Sequence, residues 1–233
     1  MPVRKKSWLE TSAGRKKTLE ELGVFWHHDG NPKRPYVRLR SGLISNGYFN
    51  GAVLCELPAV LDAVSHELVS EMLDGDQSRK SLSINRVIGP AMGAITFAHS
   101  VASAYFKIND LAPQIKMAFA EKEGDAFAFK RNQPLPHEQI LLVEDTITTG
   151  GSLVKVIDAV RAVAPSVQFS PNILALCNRS GKTHLGSMKI YALVDAELKT
   201  WEEGKNPFTK DGRELVPPVE KPKDDWKLLT QEY

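Results

Sequence analysis

Cysteine is scarce: Cys55 and Cys177 are the only two in 233 residues. Each sits among apolar neighbours, so they read as buried free thiols rather than as a disulfide framework or a zinc site. A long apolar run is also missing, as is the apolar core of a secretory leader. A reducing, cytoplasmic setting without a membrane partner is therefore expected. Charge of one sign is missing too. The 30 Lys and Arg against 28 Asp and Glu leave a net charge of +2, which argues against a general nucleic-acid binder. The one basic cluster, Arg4, Lys5, Lys6, Arg15, Lys16 and Lys17, reads as a solvated end. There is no internal repeat and no low-complexity block.

What is present suits one α/β domain with additions. Hydrophobic residues make up 42% of the chain, enough for a sizeable core. Residues 1–17 read as a polar tail. Residues 18–57 read as a small unit with a short helix near Thr18–Leu22 and a strand pair at Val37–Leu39 and Tyr48–Phe49. Residues 58–73 carry Val60, Leu61, Val64, Leu68 and Met72 at helical spacing, with Pro58 in the first turn. Strands at Arg86–Ile88, Gln114–Ala120, Ile140–Val143, Asn172–Cys177 and Ile190–Val194 alternate with helices at Ala94–Tyr105 and Ser152–Val163. That alternation predicts a mostly parallel twisted sheet flanked by helices. Residues 58–199 form this core, 1–57 the N-terminal tail and small unit, and 200–233 a C-terminal extension packing through Trp201 and Trp226.

The chemistry concentrates in residues 140–152, ILLVEDTITTGGS. A buried strand ends in two acids, where α/β sheets place their ligands. Hydroxyls and two glycines follow, then a helix with Leu153, Val156, Ile157 and Val160 on one face. Gly150 and Gly151 let the backbone approach an anion. The helix start points N–H groups and its positive dipole end at that anion. Thr148, Thr149 and Ser152 add hydroxyl donors. Glu144 and Asp145 suit sugar hydroxyls or a hydrated magnesium ion. The combination asks for a phosphorylated sugar.

Val143–Ser152 resembles the PRPP-binding signature of the type I phosphoribosyltransferases. The resemblance implies that Thr148, Thr149, Gly150, Gly151 and Ser152 hold the 5′-phosphate. It also implies that Glu144 and Asp145 contact the ribose hydroxyls, with Thr146 and Ile147 inside the same run. Mg²⁺ is implied on the pyrophosphate and ribose, bound through PRPP and water rather than by direct side-chain ligation. Residues 87–94, VIGPAMGA, resemble the loop that receives the pyrophosphate, giving Gly89, Pro90, Ala91 and Met92 as contacts. Gly93 permits close approach there.

Further segments resemble orotate phosphoribosyltransferases. Residues 40–50, RSGLISNGYFN, are similar to the segment around the flat base in that family, giving Arg40, Tyr48 and Phe49 as orotate contacts. An aromatic wall suits a pyrimidine ring, and an aromatic pair is equally at home in a core. Arg179 follows a strand where the family pairs an arginine with the orotate carboxylate, and Thr148 is the second orotate contact. A bidentate arginine selects an acidic base over a neutral one. Residues 117–131, MAFAEKEGDAFAFKR, resemble the family's mobile loop, with Lys122, Lys130 and Arg131 directed at pyrophosphate. The same residues also fit a hairpin with a solvated turn at Gly124. The resemblance implies transfer from PRPP to orotate, Lys122 and Asp145 as catalytic groups, and a homodimer whose loop reaches the partner's site. A phosphoribosyltransferase for another base and a PRPP-sensing regulator are the alternatives.

The chain departs from the family pattern in several places. Met92 and Ala94 stand where many members have lysine or a second glycine, and Ile44 where several have histidine. Glu121 stands where others have arginine, and the longer loop with Lys and His is absent. The tail reads Asn206-Pro-Phe-Thr without cysteine, which removes a metal site there. His27-His28 reads as a solvated polar pair.

Overall fold

The computed structural model describes residues 12–76, 83–109, 114–207, 209–210, 213–214 and 216–233. The chain begins α1 (Ser12–Glu21), β1 (Phe25–His27), β2 (Val37–Arg38), β3 (Ile44–Ser45), β4 (Gly47–Phe49) and α2 (Gly51–Cys55). Next come α3 (Pro58–Gly75), β5 (Arg86–Pro90), α4 (Ile95–Ile108), β6 (Lys116–Glu123), β7 (Ala126–Ala128) and β8 (Gln139–Ile147). Then follow α5 (Gly151–Val163), β9 (Gln168–Asn178), β10 (His184–Leu185), β11 (Met188–Asp195), β12 (Thr200–Trp201), β13 (Thr209–Lys210), β14 (Arg213–Glu214) and α6 (Trp226–Thr230). The residues fall into two compact units, Leu54–Glu197 and a second that joins the chain up to Val53 to Leu198–Tyr233.

The Leu54–Glu197 unit is an α/β sheet of seven strands in the order β10-β11-β9-β8-β5-β6-β7. The inner pairs are parallel, and the edge pairs β10–β11 and β6–β7 are antiparallel. Ile88, Ala118, Ile140, Leu142, Ile173 and Ala175 pack with Leu153, Val156 and Val160 of α5 on one face. Alternate residues of the same strands, Val87, Leu141, Val143 and Leu174, are equally buried. α3 and α4 pack on each other and on the sheet, so both faces are covered. This is why the strands read as continuous apolar runs. Pro171, inside the long strand β9, lies where the β8–β9 register slips between Ile140 and Leu142. A bulge is where a proline without an N–H is tolerated in a strand.

One ion pair anchors the amino ends of the strands. Arg86 donates to both oxygens of Glu138, at 2.7 and 3.0 Å, and both side chains are buried. The Leu135 N–H and the Lys116 ammonium donate to the same carboxylate. Burial pushes the Glu138 carboxyl up, but these donors outweigh it and hold it below the usual carboxylate range.

In the other unit, the expected strand pair is wired differently. β4 pairs with β1, Tyr48 opposite Trp26, while β2 pairs with β3 and β3 with β12. The helix begins at Ser12 rather than Thr18, because the basic run Arg15–Lys17 is itself helical. The rest of the basic tail, Arg4, Lys5 and Lys6, lies outside the described residues. The C-terminal aromatics meet N-terminal partners: Trp226 Nε1 donates to the Glu20 carbonyl and Trp201 packs on Tyr36. Trp26 Nε1 in turn donates to the Leu229 carbonyl. His28 is not solvated. It is buried, stacks on Tyr36, and accepts from the Gly30 N–H.

Candidate active site

β5, β6 and β8 are mutually parallel or share parallel neighbours, so their carboxyl ends face one way. Between those ends and the start of α5 lies a cavity of about 420 Å³. It is lined by Pro90 at the end of β5 and Ala91 and Gly93 after it, Lys122, Asp125 and Phe127 of the β6–β7 hairpin, Glu144 and Asp145 of β8, and Gly151, Ser152 and Lys155 of α5.

The strand carrying the acids is longer than its apolar run suggested. β8 continues through Glu144, Asp145 and Thr146 to Ile147, because its end stays in register with β9, Glu144 opposite Ala175, Thr146 opposite Cys177 and Ile147 opposite Asn178. Sheet pairing thus fixes the acid backbones. Glu144 is 6% exposed. Burial, with the neighbouring Asp145 charge, pushes its carboxyl up to about 8. Burial raises Asp145 as well, against two backbone N–H donors that lower it. Glu144 is buried and Asp145 half-buried, and both line the cavity. Ribose hydroxyls or the water shell of Mg²⁺ supply donors that fit them. Among the described residues no three His, Cys, Asp or Glu side chains gather as a direct metal cage.

The phosphate loop is shaped by Gly150, which caps α5 in the left-handed region at φ +83°. A Cβ there would meet Leu185 Cδ1 at 2.6 Å, so β10 closes the loop from behind. No side chain caps α5. The Gly151 N–H reaches Thr149 Oγ1 at 3.3 Å and the Val154 N–H reaches the Gly150 carbonyl. The N–H groups of Ser152 and Leu153 have no partner among the described residues. Thr148 and Thr149 are exposed; Thr146 is half-buried. Ile147 is a core residue whose side chain packs with Leu153 and Ile173, so the site meets only its backbone.

The loop after β5 is tied to β6 by the Ala91 N–H, which donates to the Ala120 carbonyl at 2.8 Å. Met92, after a cis peptide bond, is 84% exposed. Gly89 lies behind the cavity in β5, where a Cβ would press on Ala94 and Val143. Lys122 sits in a tight hairpin, paired with Phe127, turning at Gly124 with φ +59°. Lys130 and Arg131 lie outside the cavity lining, beside Glu123 at 3.9 Å and Glu121 at 3.7 Å.

The Arg179 N–H donates to the Ile147 carbonyl at 3.0 Å, placing it beside the start of the phosphate loop. Buried Asn178 organises the turn, donating to Asp195 and the Lys182 carbonyl and accepting from Ser180. Arg40, Tyr48 and Phe49 belong to the other unit. There Arg40 is exposed, and half-buried Tyr48 packs with Trp226 at 6.2 Å. The sequence reading did not single out Lys155, Asp125 or Phe127 as cavity residues. For Lys155 a signal existed: it lies three residues past Ser152, on the same helical face.

No protein-family model matches the chain. It is 32% identical over 202 residues to orotate phosphoribosyltransferase of Pelotomaculum thermopropionicum, covering 86% of this chain and 97% of that protein. The chain belongs to the orotate phosphoribosyltransferase family. The crystal structure of orotate phosphoribosyltransferase from Aeropyrum pernix is similar at a TM-score of 0.54 and 21% identity, over 77% of this chain and 92% of that one. Adenine phosphoribosyltransferase of Saccharomyces cerevisiae scores 0.55 at 13% identity, over 78% of this chain and 99% of that one. The family's fold is thus shared with a protein named for a purine base, and the fold alone does not select the base.

Proposed function

We propose that this chain transfers the 5-phosphoribosyl group of PRPP to orotate, forming orotidine 5′-phosphate and pyrophosphate. The observation that carries this is one cavity joining Gly151 and Ser152 of the phosphate loop, the acid pair Glu144 and Asp145, and the lysines Lys122 and Lys155. Thr148 to Ser152 hold the 5′-phosphate, the unpartnered N–H groups of Ser152 and Leu153 meeting its oxygens. Glu144 and Asp145 accept from the ribose hydroxyls. The backbone of Gly89 to Met92 receives the pyrophosphate.

A ring nitrogen of orotate forms a bond to C1 of the ribose as the bond from C1 to the pyrophosphate oxygen breaks. Positive charge grows on the sugar and negative charge on the leaving oxygen. Lys122 is aimed at that leaving group, and Asp145 holds the ribose beneath it. Mg²⁺, carried in with PRPP, neutralises phosphate charge when bound. Arg179 and Thr148 meet the orotate carboxylate and ring, which favours an acidic base over the neutral base of the adenine enzyme. Arg40, Tyr48 and Phe49 remain base contacts on motif resemblance. Lys130 and Arg131 supply a more distant positive field.

A homodimer and a cytoplasmic location complete the reading. Phe106, 54% exposed beside a groove formed by His99, Ala102 and Met117, offers an apolar face to a second copy. Incubation with PRPP and Mg²⁺ beside orotate, uracil or adenine tests the base: conversion of orotate alone supports the assignment.

A further inference from the structure

Lys155 is the cavity cation that the phosphate-loop motif leaves unexplained. It is the fifth residue of the 13-residue helix α5, one turn past Ser152, and it lines the same cavity as Ser152 and Lys122. Among the described residues its ammonium makes no hydrogen bond or ion pair. Its exposed place is opposed only weakly by the helix dipole, and Asp125, Glu144 and Asp145 line the same cavity. A cation near the start of a helix opposes the dipole, which is positive at that end. Lys122, likewise without an ion pair, adds a second positive group to the cavity. The unpartnered N–H groups of Ser152 and Leu153 add donors at the same end. The two cavity lysines and the open N–H groups together offer donors to an anion at the head of α5.

The geometry points to Lys155 as a phosphate-binding residue that takes an oxygen of the sugar 5′-phosphate rather than of the pyrophosphate. The proposal rests on reading the cavity as the PRPP site. Lys155 rises from the helix whose first turn is the phosphate cradle, and one turn is about 5.4 Å, within reach of a lysine side chain. Lys122 instead follows Ala120, whose carbonyl holds the Ala91 N–H of the loop after β5. The two lysines therefore divide the substrate, Lys155 at its 5′ end and Lys122 at its leaving group.

Calorimetric titration of the full chain with ribose 5-phosphate, and separately with Mg-pyrophosphate, tests this division. Lys155→Gln is expected to weaken ribose 5-phosphate about tenfold while changing Mg-pyrophosphate by less than about twofold. Lys155→Arg should recover most of the loss. Unchanged ribose 5-phosphate binding in Lys155→Gln, or equal losses for both anions, would overturn the assignment. A lowered melting temperature of the ligand-free Lys155→Gln protein would also overturn it, because that marks a structural role. If the unaltered protein binds neither anion, the reading of the cavity as a PRPP site fails first, and the assignment falls with it.

Discussion

Asp145 lies directly against Gly93: a Cβ added to Gly93 would stand 2.5 Å from Oδ2 and 2.7 Å from Cγ of the carboxylate. The acid on β8 is thereby seated on the loop after β5. The ribose and pyrophosphate sides of the proposed site share one contact.

Gly93→Ala therefore displaces the Asp145 side chain, which can swing, rather than the backbone, which cannot. Turnover should fall roughly 10- to 100-fold with little change in melting temperature. Gly89→Ala behaves in the opposite way. Its Cβ would meet Ala94 Cβ at 2.8 Å and the Val143 carbonyl at 3.2 Å, rigid neighbours in the core. It should cost about 1–3 kcal/mol of stability. Parallel denaturation and kinetics on the two variants check the contrast.

Lys122→Ala should lower kcat about 100-fold and leave the hairpin folded, since Phe127 still packs on the core. Steady-state kinetics with circular dichroism read both effects. Full turnover in this variant would remove Lys122 from the mechanism.

The Glu144 carboxyl, raised from 4.5 to about 8, makes the ligand-free protein pH-sensitive. Between those values the folded state holds a proton that the unfolded state releases. Stability is therefore undiminished below about 4.5 and declines as pH rises toward 8, by at most about 1.4 kcal/mol per pH unit. Glu144→Gln should flatten this decline in denaturation series from pH 5 to 8.5. A slope identical to that of the unaltered protein would contradict it.

Arg86 and Glu138 support the sheet at the end remote from the cavity. Glu138→Gln leaves a buried guanidinium without its counter-charge and should cost about 3–5 kcal/mol. Replacing both residues by methionine should cost less than the single change. Urea titration of the three variants reads the coupling.

The site was legible where its signal is local. The run from Glu144 to Ser152 places acids, glycines and hydroxyls in a strand-to-helix turn, and Glu144, Asp145, Gly151 and Ser152 of it line the cavity. Ile147 was drawn in by adjacency, yet it is the last residue of β8, opposite Asn178, and its buried side chain belongs to the core. Lys155 lies outside the motif; its helical spacing from Ser152 is the one local signal for it, and the cavity wall bears that out. The small unit was hardest to read. Its strands are two or three residues long, and its tryptophans find partners about 200 residues away, Trp26 at Leu229 (|i−j| = 203) and Trp226 at Glu20 (|i−j| = 206). Periodicity cannot encode pairings that short and that distant. The buried stack of His28 on Tyr36 was hidden for the same reason, since a polar loop sequence gives no sign of burial.

The most direct measurement follows orotate absorbance in the presence of the purified protein, PRPP and Mg²⁺, with pyrophosphate release measured in the same samples. The account predicts loss of orotate only when PRPP and Mg²⁺ are both present, matched by equal pyrophosphate and abolished or strongly slowed in Lys122→Ala. Unchanged absorbance in a protein that binds PRPP by calorimetry would contradict it.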